Sequence, residues 1–302
     1  MKSLCVFPFS TDPPSLRFQT NNKNHHHQIK ARSFSPTHIA PVLAALAASL
    51  SDDETRVSRT TPPIAPISKP PADAVSTRIT QSWLWAQVAA QLQPHDVVIG
   101  ETGTSVFGVC YERMPANICF ITQTYYGSIG YATPAALGAE LALRELATEQ
   151  GKPRGRTVLI TGDGSLNLTI QEIGTMIVQD LRPVIVVINN AGYTIERVIH
   201  GARQAYNDIN PVRFRHLLAA FAHPEPESHF HRAESKEEFE RLFREKGERL
   251  RDPKMTTVVE LVLDKMDVPW RLAKQILTKG PEYKQYLLDE GFIREGRVGI
   301  DE

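Results

Sequence analysis

Two short stretches set oxygen-bearing side chains at the ends of apolar runs. In "ITGDGSLNLTIQEIG" (160–174), Asp163 stands between Gly162 and Gly164 straight after a run of Val, Leu and Ile. In "VINNAGYTIE" (187–196), a second apolar run ends at Asn190, with Gly192 two positions on. If 157–190 forms one right-handed strand–helix–strand crossover, both strands run parallel. Asp163 and Asn190 then emerge at the carboxyl edge of the sheet, where open α/β folds bind ligands. Neighbouring strands lie about 5 Å apart, so a carboxylate and a carboxamide oxygen can share a cation. Oxygen-only ligands suit Mg²⁺, which also takes phosphate oxygens. Gly192 lets the backbone turn sharply and offer its carbonyl as a third ligand. Gly162 and Gly164 admit a phosphate close to the backbone. Ser165 and the free N–H groups opening the next helix can hydrogen-bond to it. Alone, each motif is a turn. Together on one crossover they form a clamp for Mg²⁺ and a diphosphate. No G-x-x-x-x-G-K-[ST] loop occurs, and Asn167 stands where a dinucleotide fingerprint needs its third glycine.

The elements that must carry this clamp alternate. Helical spacing is present in 79–92, and "DVVIGETG" (96–103) reads as a strand and a Gly-bounded turn. A strand follows at 118–123 and a helix at 134–150. Residues 157–164, 166–181 and 183–190 read as strand, helix and strand, with Leu166, Ile170, Ile173, Ile177 and Leu181 on the helix face toward the sheet. A charged helix over 234–252, with Phe239, Leu242 and Phe243 as its apolar stripe, precedes a last strand at 255–264. Near-continuous Val/Ile/Leu strands separated by helices indicate an α/β fold, doubly wound, with a mainly parallel sheet covered on both faces.

Residues 1–75 differ. Residues 1–35 show no periodicity, and His25, His26 and His27 read as a solvated run. A short apolar helix is expected at 38–53. Five prolines in "TTPPIAPISKPPADAV" (60–75) mark a linker. The expected organisation is therefore a segment 1–75, a domain 76–276 and a tail 277–302. The 302 residues carry 34 Lys and Arg against 34 Asp and Glu. That balance removes the electrostatic case for nucleic acid or an anionic membrane as partner. No apolar run approaches the length of a membrane-spanning helix. Cys5, Cys110 and Cys119 have no metal-ligand spacing, and three cysteines cannot build a disulfide framework. The amino-terminal bias toward Lys and Arg lacks the amphipathic helix of a transit peptide, so a cytoplasmic location is expected.

Four stretches, "GETGTSVFG" (100–108), "TYYGSIGYAT" (124–133), "TGDGSLNLTIQEIGTMI" (161–177) and "INNAGYTIERVIHGARQAYNDI" (188–209), resemble the pyruvate decarboxylase and indolepyruvate decarboxylase family of thiamine diphosphate enzymes. The resemblance runs over roughly 79–275 and implies the thiamine diphosphate-binding fold. By position, it implies that Asp163, Asn190 and the Gly192 carbonyl hold Mg²⁺. It implies that Gly164, Ser165 and the segment Asn190, Ala191, Gly192, Tyr193, Thr194 and Ile195 meet the diphosphate. It places Thr104 against the cofactor, Gly127 and Ser128 at the aminopyrimidine edge, and Ile129 as the bulky residue between the two rings. Glu196 would be the catalytic acid facing substrate; by residue type alone it is a surface glutamate that pairs with Arg197 or His200. Tyr126 stands where family members often have Trp, and Tyr125, Tyr126 and Tyr131 are expected to pack structurally.

The activity so implied is a carboxy-lyase's: Mg²⁺-dependent, non-oxidative decarboxylation of a 2-oxo acid, with pyruvate going to acetaldehyde and CO₂. Aromatic 2-oxo acids such as indolepyruvate or phenylpyruvate are the second substrate class. An inactive cofactor-binding or interaction module is a third reading. In the family an amino-terminal domain supplies further site residues, and no pattern for it is found here. The chain is therefore expected to be a carboxyl-terminal part, inactive alone, and to join a homo-oligomer or a partner chain that carries that domain.

Overall fold

The computed structural model describes residues 76–293 apart from 111, 152 and 153. The segment 1–75, with the expected short helix and proline-rich linker, lies outside the described residues. Six strands, β1 (Val97–Gly100), β2 (Cys119–Thr122), β3 (Thr157–Gly162), β4 (Val184–Asn189), β5 (Phe230–Ala233) and β6 (Thr257–Val262), form one sheet in the order β2-β1-β3-β4-β6-β5. All five pairings are parallel. The chain order reverses between β1 and β3, which is the switch point where such sheets bind ligands.

Each face of the sheet has its own core, sorted by the two-residue period of the strands. Val158, Ile160, Val184, Val186 and Ile188 point to one face. There they meet Trp83, Leu84 and Val88 of α1 (Gln81–Ala90), and Phe239, Leu242 and Leu250 of a later helix spanning Lys236–Arg251. Leu159, Ile185 and Val187 point to the other face, with Ala132 and Ala136 of a helix spanning Ala132–Gln150 and with Ile173 and Met176. Both faces are covered, as a doubly wound α/β sheet requires.

In chain order the remaining helices are α2 (Thr104–Val109), α3 (Ala132–Gln150), α4 (Asp163–Leu166), α5 (Glu172–Val178), α6 (Thr194–His200), α7 (Leu217–Ala220), α8 (Lys236–Arg251), α9 (Trp270–Leu277) and α10 (Pro281–Asp289). Ser235 caps α8 in a reciprocal box with Glu238. Phe239 and Leu242 are buried as expected, and Phe243 packs partly buried beside them.

Four local readings change. The helix expected over 166–181 is two short helices, α4 and α5. Between them the chain turns through three-residue hydrogen bonds, Leu168 N–H to the Ser165 carbonyl and Thr169 N–H to the Leu166 carbonyl. Thr169 also sends its hydroxyl to the Gly130 carbonyl at 2.8 Å, so its side chain ties two loops together. Of the expected apolar face, Leu166, Ile173 and Leu181 are fully buried, whereas Ile170 and Ile177 are only partly so. The Gly-bounded turn after β1 is present at 102–103, and it leads into a short helix that was not expected, α2, started by Gly103 at φ 124°. The tail expected over 277–302 contains α10, whose Leu287 is buried with Val198, Leu272 and Ile276 in a third core. Tyr125 and Tyr126 do not pack: Tyr126 is 90% exposed. Tyr131 does, donating its hydroxyl to the Gly100 carbonyl at 2.5 Å.

Edge strand β5, "FHRA", is polar in sequence and was not expected. Its His231 is held well below its usual pKa, to about 4, by burial first and then by Lys246, His229 and Arg249. The unfolded chain therefore binds this proton first. Its contribution to stability is complete above about pH 6.5 and is lost as pH falls toward 4. Between pH 7 and 5, His231→Gln should lose about 1 kcal/mol less of its unfolding free energy than the parent chain, allowing for partial exposure. Urea unfolding at the two pH values reads this, and equal losses would remove His231 as the cause.

Candidate functional site

β3 and β4 deliver their final residues side by side, with Gly162 paired to Ile188. Asp163 opens α4 and is 2% exposed. Its Oδ1 accepts from Gly164 N–H at 2.8 Å, and its Oδ2 from Gly192 N–H at 3.0 Å. Those bonds favour the carboxylate, but burial outweighs them and pushes its pKa up to about 6. A buried carboxylate held this way is a site waiting for positive charge.

The chain after β4 turns through two left-handed residues, Ala191 at φ 56° and Gly192 at φ 126°. Only glycine fits at 192, because an added Cβ would lie 2.1 Å from the Asn207 carbonyl oxygen. At Gly164 an added Cβ would lie 2.5 Å from the Tyr193 ring, so the two glycine motifs are packed against one another.

Asn190, 4% exposed, joins them. One atom of its amide is 2.8 Å from the Gly192 carbonyl oxygen and 3.1 Å from Asp163 Oδ1; the other is 2.9 Å from Thr194 Oγ1. Thr194 commits its single proton to the Lys265 carbonyl at 2.9 Å. It can therefore only accept from Asn190, which puts the amide NH₂ on that side and Oδ1 beside the other two oxygens. The reverse amide orientation would donate to both oxygens, but at the cost of the Thr194–Lys265 bond. In the first orientation three oxygens converge with no proton between them and a cation would satisfy them; by hydrogen bonding alone the reverse orientation satisfies more partners. Ligand oxygens on adjacent corners of a Mg²⁺ octahedron are about 2.9 Å apart, given Mg–O distances near 2.0–2.1 Å. The spacing and the carboxylate–amide–carbonyl donor set both fit Mg²⁺. Among the described residues, no three His, Cys, Asp or Glu side chains gather as ligands of another ion.

Beside this cluster runs the loop 124–131. Gly127 is left-handed at φ 60°, and Ile129 is 38% exposed at the rim. Three residues that sequence reasoning did not single out hold this loop. Gln123 accepts from Ser128 N–H and donates to its hydroxyl, both at 3.3 Å. Thr169 holds the Gly130 carbonyl. Buried Glu101, at the end of β1, accepts from Thr102, Gly130 and Ala132 N–H groups at 2.9, 3.1 and 3.4 Å, while burial raises its pKa. The signal for Glu101 was an acidic residue directly after an apolar strand, the same pattern that marked Asp163.

The structure thus brings Asp163, Gly164, Asn190, Ala191, Gly192, Tyr193 and Thr194 together. Ser165 is buried on α4, and a Cβ at Gly130 would lie 3.4 Å from its carbonyl oxygen, so clamp and loop adjoin. Thr104 is buried as the first residue of α2. Ile195 instead turns its side chain into the third core. Glu196, in the first turn of α6, is half-exposed, with Oε2 3.3 Å from His200 Nε2. This is the surface pairing its residue type suggests, and Arg197 points inward instead.

The family model for the thiamine pyrophosphate enzyme, C-terminal TPP binding domain, matches residues 100–252. Pyruvate decarboxylase isozyme 1 of Saccharomyces cerevisiae is 36% identical over 285 residues, covering 92% of this chain and 48% of that protein. The alpha-keto-acid decarboxylase of Mycobacterium leprae is 41% identical over 239 residues, covering 78% and 39%. The solved Rhodococcus jostii RHA1 thiamine diphosphate-dependent 4-hydroxybenzoylformate decarboxylase superposes on 63% of this chain and 33% of its own, with a TM-score of 0.49 at 18% identity. The chain spans about half the length, or less, of the curated relatives it matches. It belongs to the thiamine pyrophosphate enzymes, as a C-terminal cofactor-binding part of the pyruvate decarboxylase kind.

Proposed function

We propose that the chain binds thiamine diphosphate through Mg²⁺ and serves the non-oxidative decarboxylation of a 2-oxo acid, with pyruvate as the first substrate to test. The observation that carries the metal assignment is the convergence of Asp163 Oδ1, the Gly192 carbonyl and the Asn190 amide at 2.8–3.1 Å. When bound, the cofactor supplies a thiazolium carbon that attacks a keto group and takes up the electrons left by CO₂.

The chain's own residues bind and orient it. Asp163, Asn190 and the Gly192 carbonyl would hold the metal, leaving its remaining positions to diphosphate and water. Gly164 and Ser165, in the first turn of α4, would bring backbone N–H groups toward the diphosphate. Thr104, Gly127 and Ser128 would line the rest of the cleft at the carboxyl ends of β1 and β3. The Ile129 side chain, on a loop pinned at Ser128, Gly130 and Ala132, would act by bulk against the bound cofactor. Glu196 would move protons at the substrate end. Its exposure and its His200 neighbour leave it free to do so once a substrate covers it.

The test is a chimera in which this chain replaces the matching half of the Saccharomyces cerevisiae relative. With Mg²⁺, thiamine diphosphate and pyruvate it should release CO₂ saturably, and the Asp163→Ala chimera should not. A panel of pyruvate, phenylpyruvate and indolepyruvate would sort the substrate class. A folded chimera inactive on all three would refute the decarboxylase reading.

A further inference from the structure

The side chain of Arg197 takes no part in the clamp's donor set, yet it is 1% exposed immediately behind it. Its guanidinium donates in two directions. Nη1 reaches the Ala202 carbonyl at 3.0 Å. Nη2 reaches the Asn207 carbonyl at 3.2 Å and the Ala191 carbonyl at 3.5 Å, and pairs with the half-exposed Asp208 carboxylate. From the other side, Tyr286 of α10 donates its hydroxyl to the Arg197 backbone carbonyl at 2.6 Å.

Those acceptors are the parts of a strap. Residues 201–208 leave α6 at Gly201, φ 130°, and return beneath the turn after β4. At its end the Asn207 carbonyl accepts from Tyr193 N–H at 2.9 Å, and it is the atom that leaves no room for a side chain at Gly192. Asn207 itself is fully buried and donates to the Gly201 carbonyl at 2.9 Å, closing the strap on itself. The arginine therefore ties the start of the left-handed turn, at Ala191, to the backbone that supports its end. A left-handed non-glycine residue is strained and persists only when its surroundings over-determine it.

Resting on the reading of this turn as a Mg²⁺ clamp, we propose that Arg197 is a positioning residue. Its planar fork holds the strap 201–208 against Ala191–Tyr193 and so presets the Gly192 carbonyl and N–H for the metal site. Lysine cannot replace it, because a single ammonium on a flexible stem does not serve acceptors lying in two directions within one plane.

Two readouts test this, and the first needs no cofactor. Backbone amide exchange at Gly192 and Tyr193 should speed up about tenfold or more in Arg197→Lys, the order expected for losing a charge-assisted hydrogen bond, while sheet amides such as Val186 keep their protection. Should that variant fail to fold, Asp208→Asn removes the half-exposed partner alone and should speed the same two amides by a smaller factor. Second, the Mg²⁺ concentration that supports thiamine diphosphate binding should rise in Arg197→Lys and be unchanged in the surface control Arg203→Lys. Unaltered exchange at Gly192 and Tyr193 in the folded variants would overturn the proposal. Failure of the parent chain to bind cofactor while the exchange result holds would overturn the metal reading and leave Arg197 as the residue that sets the turn.

Discussion

Asp163→Ala is expected to abolish Mg²⁺-dependent binding of thiamine diphosphate, weakening it by about a thousandfold or more, beyond the 10–100-fold typical of outer-shell changes. Asp163 is the one formal charge among the three converging oxygens, and it also receives the Gly164 and Gly192 N–H groups that shape both loops. Alanine removes charge and acceptors together. Asp163→Asn separates them, since it keeps the size and much of the hydrogen bonding while removing the anion. It should lose binding nearly as fully. It should also unfold no more easily than the parent, because burial already disfavours the carboxylate when no cation is present. Asn190→Ala should follow Asp163→Ala. Titration calorimetry checks each variant. Parent-like affinity in Asp163→Asn would show that the carboxylate holds no metal.

A large loss of stability is expected at the opposite edge of the sheet. Arg156, buried ahead of β3, forks onto Asp96 with Nε to Oδ1 at 3.2 Å and Nη2 to Oδ2 at 2.5 Å. It also donates to the Leu250 carbonyl at 2.5 Å and the Gln91 carbonyl at 2.9 Å. Those carbonyls end α8 and α1, where helices leave acceptors unpaired. One side chain therefore joins two strands and the two helices of one face. Arg156→Met would leave the Asp96 carboxylate, 1% exposed, with Gln93 N–H at 2.8 Å as its remaining hydrogen bond among the described residues, and would orphan both carbonyls. The expected cost is about 3–5 kcal/mol, read as a lower urea midpoint at unchanged slope. The double change Arg156→Met with Asp96→Leu should recover part of it, because it removes the uncompensated charge. A cost below about 1 kcal/mol in the single variant would show that water reaches the pair.

The clamp was legible because its chemistry is local. A carboxylate between two glycines and an amide before another lie each on one short turn, and the parallel crossover between them follows from unbroken Val/Ile/Leu runs. The doubly wound sheet was legible for the same reason. What escaped depends on partners distant in sequence. The helix expected over 166–181 breaks because Thr169 bonds to Gly130, some forty residues away. β5 hides because "FHRA" has no apolar run, and it pairs with β6 for want of another edge. α10 reads as a polar tail until Leu287 is seen against Val198. Arg197 looks like an ordinary surface charge in the sequence, and only its burial and its backbone acceptors set it apart; Glu101 carried the acidic-after-strand signal, but its burial and the backbone N–H groups it accepts from are visible only in the fold.

The central claim is that three oxygens just beyond the carboxyl ends of β3 and β4 bind a diphosphate cofactor through Mg²⁺. Calorimetric titration of thiamine diphosphate into the purified chain, once with Mg²⁺ and once with a chelator, tests it most directly. Saturable one-to-one binding with Mg²⁺, lost with chelator and lost in Asp163→Asn, is the predicted result. Equal binding with and without Mg²⁺, or no binding to the folded chain under either condition, would contradict it.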